Sequence, residues 1–291
     1  MFKEAYEIAS KYIKPLIVVL RYQDKSVECG LGTLIILNDE GWIMTAAHNL
    51  NASNAYNQHQ LEIKMFQEKV DKINANPKLN ENKRKRLIKA VKSNPKWITD
   101  FIIWLGADKI QIKESFVYND HDIAFIRIDK LFMKGITEYP KIKDPRNLKQ
   151  GTSLCKLGFP FYHINATFDE TTNKFIFPKN TFPIPRFPIE GIYTRNLITG
   201  KSNDKTMDVM YIETSSPGLK GQSGGPIIDI DGNIYAVQSQ NYTLPLGFKG
   251  KEEINGIEIE ESQFINVGVG VHTETIVTLL KKHKIKHDIA P

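Results

Sequence analysis

Apolar residues are spaced differently in different parts of the chain. Phe2, Ala5, Ile8, Ala9 and Tyr12 recur at helical intervals, and Pro15 ends that pattern. Short β-branched runs follow at Leu16 to Arg21, Leu31 to Leu37 and Trp42 to Ala46, with the turn signal Asn38-Asp39-Glu40-Gly41 between the last two. From about 52 to 96 the pattern is helical again. Leu61, Met65, Val70 and Ile73 predict an apolar stripe on a helix over Gln60 to Ile73, and Leu87, Ile88 and Val91 do the same over Asn80 to Val91, with Asn76-Pro77 as punctuation. Strand character returns at Trp97 to Leu105, Lys109 to Val117 and Ile123 to Ile128.

A linker rich in Lys, Pro and Asn runs from about Lys134 to Gln150, and a second β region spans Ser153 to Val271. Within it the proline-rich stretch Phe182 to Pro188 reads as an extended surface loop, because proline does not serve in a central strand. Two long loops, Gln240 to Phe264 and Phe159 to Arg195, are expected over the cleft. Thr273 to Lys284 predicts an amphipathic helix with Thr273 as N-cap, Ile276, Leu279 and Leu280 as its apolar face, and lysines suiting its C-terminal dipole. Many short strands separated by turn residues indicate an all-β barrel or sandwich with a helical insertion and a closing helix. The division expected is 1–135 for the N-terminal helix and first barrel, with the insertion at about 52–96, and 150–291 for the second barrel and final helix.

Composition changes this picture little. The chain has 291 residues, 41% hydrophobic and 25% charged, which excludes collagenous, disordered and coiled-coil classes. No apolar run approaches the length of a membrane helix, so no membrane partner is expected. Cys29 and Cys155 do not make a disulfide framework. With a charged start, Met1 to Glu7, in place of an apolar leader, they lead to the expectation of a soluble cytoplasmic protein. The formal net charge of +6 is concentrated in the insertion, around Lys83-Arg84-Lys85-Arg86. A solvated helical face is the first reading of that run and an acidic protein partner the second. Nucleic acid is disfavoured, because few aromatics interleave with the basic residues.

Candidate chemistry centres on Gly221-Gln222-Ser223-Gly224-Gly225-Pro226. Glycines on both sides of a serine let the backbone turn tightly and approach a substrate, and the N–H groups of Gly221 and Ser223 could converge on an oxyanion. Small residues precede His48 in Thr45-Ala46-Ala47-His48, and Asp122 opens the alternating run Asp122-Ile123-Ala124-Phe125. Taken singly, each has a structural explanation: a glycine turn, a histidine after a strand, a turn aspartate.

In the order His, Asp, Ser, these three motifs resemble the trypsin-like serine peptidase family. The stretches Ile227 to Val237 and Gly268 to Val271, the latter followed by a helix, are most similar to its bacterial HtrA-like branch. No sequence after Pro291 corresponds to a PDZ domain, so the resemblance does not imply PDZ-based sensing.

The resemblance implies a double six-stranded antiparallel β-barrel and a serine endopeptidase that cleaves protein or peptide substrates through an acyl-enzyme. Its triad would be Ser223, His48 and Asp122, with Gly221 and Ser223 as oxyanion donors and no metal or organic cofactor. Gln222 replaces the aspartate that pairs with a newly cut N-terminus in secreted digestive members, so zymogen cleavage of that type is not expected. Loop ordering or an activating protein partner is the expected regulation. The pocket for the residue preceding the cleaved bond would draw on Ser216, Pro217, Gln238 and Gly270. Pro217 stands where trypsin-type enzymes carry an acid, which argues against a basic residue there. His272 could favour an acidic one, or could simply cap the last helix. The alternative to an enzyme is a catalytically silent scaffold that binds through the basic insertion.

Overall fold

The computed structural model describes residues 1–130, 135–254 and 257–291. The linker's first residue, Lys134, lies outside them. Helix α1 (Lys3–Tyr12) buries Ala5, Ala9 and Tyr12 and runs directly into the first sheet. That sheet contains β1 (Ile13–Tyr22), β2 (Val27–Ile36), β3 (Trp42–Thr45), β4 (Ile98–Trp104), β5 (Ile112–Tyr118) and β6 (Ile123–Ile128). Its order is β4-β1-β2-β3-β6-β5, antiparallel throughout, and it curls around Leu16, Leu34, Ile43 and Phe125 without a ladder between β4 and β5.

The remaining strands are β7 (Lys141–Lys143), β8 (Ser153–Gly158), β9 (Thr167–Asp169), β10 (Lys174–Ile176), β11 (Phe187–Lys201), β12 (Asp208–Thr214), β13 (Pro226–Ile228), β14 (Ile234–Ile254), β15 (Ile257–His272) and β16 (Asp288–Ala290). The order β13-β8-β11-β12-β15-β14 closes on itself because β13 pairs with β14 as well as with β8. This is a complete six-stranded barrel. The short strands β7 and β16 extend it in parallel from β14. The architecture is the expected trypsin-like double barrel, with the first barrel open along one seam.

The insertion folds as α2 (Asn51–Asn74) and α3 (Glu81–Ala90). The expected stripe on α2 is corrected: Leu61 and Met65 are exposed, and neither helix has a fully buried residue. Aromatic and polar side chains make the contact with β4 instead. Tyr56 packs on Phe101 and Phe66 on Trp97, while Glu62 accepts from Trp97 Nε1 at 2.6 Å. Helical periodicity reports the helix, but here the neighbour to be covered is one strand edge, too narrow to bury a stripe.

The loop expected over Gln240 to Phe264 is also corrected. Apart from 255–256, which lie outside the described residues, it is a hairpin in which β14 and β15 pair from Asn241↔Gly268 to Ile254↔Ile257, with a register shift between Pro245 and Lys249. Where its side chains are described, at 241–250 and 260–266, none is buried, so no core-facing pattern marks it in the sequence. Phe159 to Arg195 likewise contains the small β9–β10 hairpin and the first half of β11. Pro188 does enter β11, near its start, opposite Leu157.

Helix α4 (Thr273–Lys282) packs Ile276, Leu279 and Leu280 onto the second barrel.

Candidate active site

Sequence position and sheet register together bring His48 and Asp122 to one place. His48 lies on a single 3-10 turn, Ala47–Leu50, just after β3, where the buried Ala46 and Ala47 let the chain hug the barrel. Asp122 lies just before β6. β3 and β6 pair with Thr45 opposite Ala124, which sets the two flanking residues side by side. His48 Nδ1 is 3.0 Å from Asp122 Oδ1 and 2.9 Å from Oδ2, and the His48 backbone N–H also donates to Oδ1 at 2.9 Å. Asp122 has φ 51°, a left-handed conformation that a non-glycine residue seldom holds without a compensating role.

A further donor was not singled out in the sequence. Ser239 is skipped in the β14–β15 register, where Gln238 pairs with Gly270 and Gln240 with Val269. This bulge turns the Ser239 hydroxyl to Asp122 Oδ2, at 2.5 Å. Burial pushes the Asp122 carboxyl up, but the hydrogen bonds from His48 and Ser239 outweigh it and hold it below the usual carboxylate range. The aspartate is therefore a fixed anion behind an imidazole that is 42% exposed on the cleft side.

Ser223 is held on the loop between β12 and β13 by both barrels. From the first barrel, Thr33 N–H and Asn49 Nδ2 donate to Ser223 O at 2.9 and 3.0 Å, and Thr33 Oγ1 donates to Gly221 O at 2.8 Å. From the second, Gly224 N–H donates to Gln238 O and Gln238 N–H to Gly225 O. Gly221 and Gly224 take φ of 103° and 83°, and each faces backbone so closely that a Cβ would collide with it. Gln222 is fully buried. Its amide accepts from Leu219 N–H at 2.9 Å and donates to Phe187 O at 3.2 Å, so a neutral side chain anchors this loop.

Among the described residues, the N–H groups of Gly221 and Ser223 have no hydrogen-bond partner within the protein. Ser223 Oγ donates to Ser239 O at 3.5 Å, and no hydrogen bond joins it to His48. The cleft beside His48 is lined by Asn119, Asp122, Tyr211, Ser239 and Gln240.

The residues expected around the neighbouring pocket separate into two places. Ser216, Pro217 and Gln238 gather around Gly218, against which the Gln238 amide packs. Gly270 instead faces Ile227 and Ala236 in the barrel core, and Gly268 stands in the gap beside Ser216.

His272 lies at the start of α4. Its Nδ1 accepts from Glu274 N–H at 3.0 Å, so His272, not Thr273, is the N-cap. Burial pushes its pKa down from 6.5 to about 4. The fold thus accepts the neutral ring, and protonation would also remove the capping acceptor. The stabilisation is present in full above pH 6.5 and is lost as pH falls towards 4, by about 3 kcal/mol. Urea midpoints measured from pH 7 to 4.5 should fall across this window, and His272→Asn should flatten the fall while keeping a capping oxygen.

The sequence profile of the trypsin-like peptidase domain matches residues 32–237, a span that includes His48, Asp122 and Ser223. The chain belongs to the trypsin-like peptidase family. It is 27% identical over 153 residues to a probable periplasmic serine endoprotease, DegP-like, of Pseudomonas fluorescens, an alignment covering 52% of this chain and 26% of that protein. Among solved structures, the HtrA-type protease AlgW with a tripeptide superposes with a TM-score of 0.50 at 14% identity, covering 97% of this chain and 62% of that one. A serine-to-alanine variant of AlgW, also with a tripeptide, gives 0.49 at 14% identity over the same shares. The chain thus spans about a quarter of the curated relative, and the structural likeness at this identity concerns the fold.

The expected cytoplasmic location is corrected by these relatives, because the curated one is described as periplasmic. Cys29 and the buried Cys155 are both free thiols. Two unpaired thiols, one of them buried, can persist in either redox environment, so they report no compartment. Burial pushes the Cys155 thiol up to about 11, which keeps it unreactive.

Proposed function

We propose that this chain is a serine endopeptidase acting through Ser223, His48 and Asp122. The observation that carries the reading is the His48–Asp122 pair, braced by Ser239, beside a serine whose loop leaves two amide donors unspent. In the reaction, Ser223 Oγ leaves Ser239 O and attacks the peptide carbonyl, while its proton passes to His48 Nε2. Asp122 holds the other ring nitrogen protonated and stabilises the imidazolium. The Gly221 and Ser223 amides take the developing oxyanion; one such donor contributes about 10²–10³ in rate. His48 then protonates the leaving amine, and water hydrolyses the acyl-enzyme by the same route in reverse. A fluorophosphonate probe should label Ser223 in the wild-type protein. Absence of labelling would favour the silent scaffold.

We also propose that the basic insertion receives an acidic protein partner that tunes this activity. The His48 turn ends at Leu50 and α2 starts at Asn51, so a load on α2 is transmitted along continuous helix to the catalytic base. Casein hydrolysis by the isolated chain as fast as in any partner complex would count against this regulation.

A further inference from the structure

An ammonium removed from water without a counter-charge is strongly disfavoured, so a lysine in a barrel core calls for an explanation. Lys156 on β8 is 1% exposed. Its Nζ donates to Ser216 O, to Ser216 Oγ at 2.8 Å and to Pro217 O at 3.2 Å. All of these acceptors are neutral, and no carboxylate is among its partners. Burial pushes its pKa down to about 7, with no acid near enough to reverse the shift.

The place where this charge emerges is specific. The segment Ser216 to Gly218 leads into the nucleophile loop and faces Gln238 and Asn241, which lie on either side of Ser239 in β14. Gly268 N–H donates to Ser216 O at 2.8 Å, and a Cβ on Gly268 would lie 2.7 Å from Lys156 Nζ and 2.9 Å from Gly218 N. Only glycine at 268 lets the ammonium reach this gap. Beside it, the Asn241 amide accepts from Gly218 N–H and donates to Gly218 O, both at 2.6 Å.

We propose that Lys156 selects the side chain preceding the cleaved bond, and that this side chain is a carboxylate, Asp or Glu. The inference rests on the peptidase reading above, which puts that side chain between Ser216 and Gln238. A carboxylate would supply the counter-charge that the ammonium lacks, in surroundings where little water screens the pair. A basic side chain would be repelled, and an apolar one would leave the charge unpaired. A carboxamide is the nearest competitor, because Gln238 Oε1 is buried without a donor and could accept from it. Burial leaves the amine only partly protonated near neutral pH, and a carboxylate gains both by restoring the ammonium and by pairing with it, which favours the acid.

Peptides that differ only in a C-terminal Glu, Gln, Leu or Lys, titrated calorimetrically onto the Ser223→Ala protein, test this without requiring turnover. The Glu peptide should bind about tenfold or more tightly than the Gln peptide. That margin should disappear in the Ser223→Ala, Lys156→Met double variant. Equal affinity among the four peptides, tighter binding of Gln or Leu, or a Glu preference that survives Lys156→Met would overturn the proposal. Should the double variant not fold, the Glu–Gln comparison on Ser223→Ala alone still decides. The two readings fail separately: Ser223 that labels with a fluorophosphonate while Glu shows no advantage sinks the assignment to Lys156. Selective Glu binding with an unlabelled Ser223 sinks the peptidase reading.

Discussion

Ser223→Ala lowers kcat on a peptide substrate by about 10⁶ while leaving the fold intact. Both parts of this expectation come from the surroundings of the residue. The hydroxyl makes a single long bond, to Ser239 O at 3.5 Å, so its loss costs the folded protein little. The backbone of the same residue carries the structural load, since Ser223 O accepts from Thr33 N–H and Asn49 Nδ2 whatever the side chain. Peptide hydrolysis followed by mass spectrometry, together with thermal melts of the two proteins, measures both. A variant that retains more than about a hundredth of the wild-type rate would contradict nucleophilic catalysis by Ser223.

Asp122→Asn should lower kcat by about 10⁴ with a smaller effect on KM. The carboxylate faces His48 Nδ1 with both oxygens, so in the wild type that nitrogen carries the proton and Nε2 is free to accept from serine. An asparagine turning its NH₂ towards Nδ1 would favour the opposite tautomer, with the proton on Nε2, where it blocks proton transfer. If it presents its oxygen instead, the tautomer survives but the imidazolium loses its counter-charge. Hydrogen bonding already holds the wild-type carboxyl below its usual range, so Asp122 is ionised at neutral pH. Steady-state kinetics of the variant, with nitrogen chemical shifts of His48 to report the tautomer, check both parts. An unchanged kcat would remove Asp122 from the mechanism.

The fold and the site were legible in the sequence to different degrees. The strands of the first barrel were visible as short, turn-bounded apolar runs because they cover a core, whereas the second barrel was visible only as a β region from Ser153 to Val271. The α2 contact surface was misread, because aromatic side chains meeting one strand edge do not form a stripe. The β14–β15 ribbon passed for a loop, since none of its described residues at 241–250 and 260–266 is buried. His272 was weighed as a selector and as a cap. Its Nδ1 bond to Glu274 N–H makes it the cap, and a residue's position beside a helix start does not disclose its ring orientation. Lys156 gave no signal, because a lysine between Cys155 and Leu157 looks like an ordinary strand residue until its neighbours in space are known.

What the sequence by itself determined was the family and the motifs that hold its candidate site residues. Glycines that alone tolerate the backbone around Ser223, small residues before His48 and an aspartate at the head of a strand are local requirements, written in adjacent letters. Tertiary structure decided how those groups are supported and what they face. The bulge at Ser239, the tethers from Thr33 and Asn49, the Asn241 bridge and the ammonium beneath Ser216 all join residues distant in the chain. Such contacts are set by sheet register and barrel closure, which depend on every strand at once, so no short stretch of sequence encodes them.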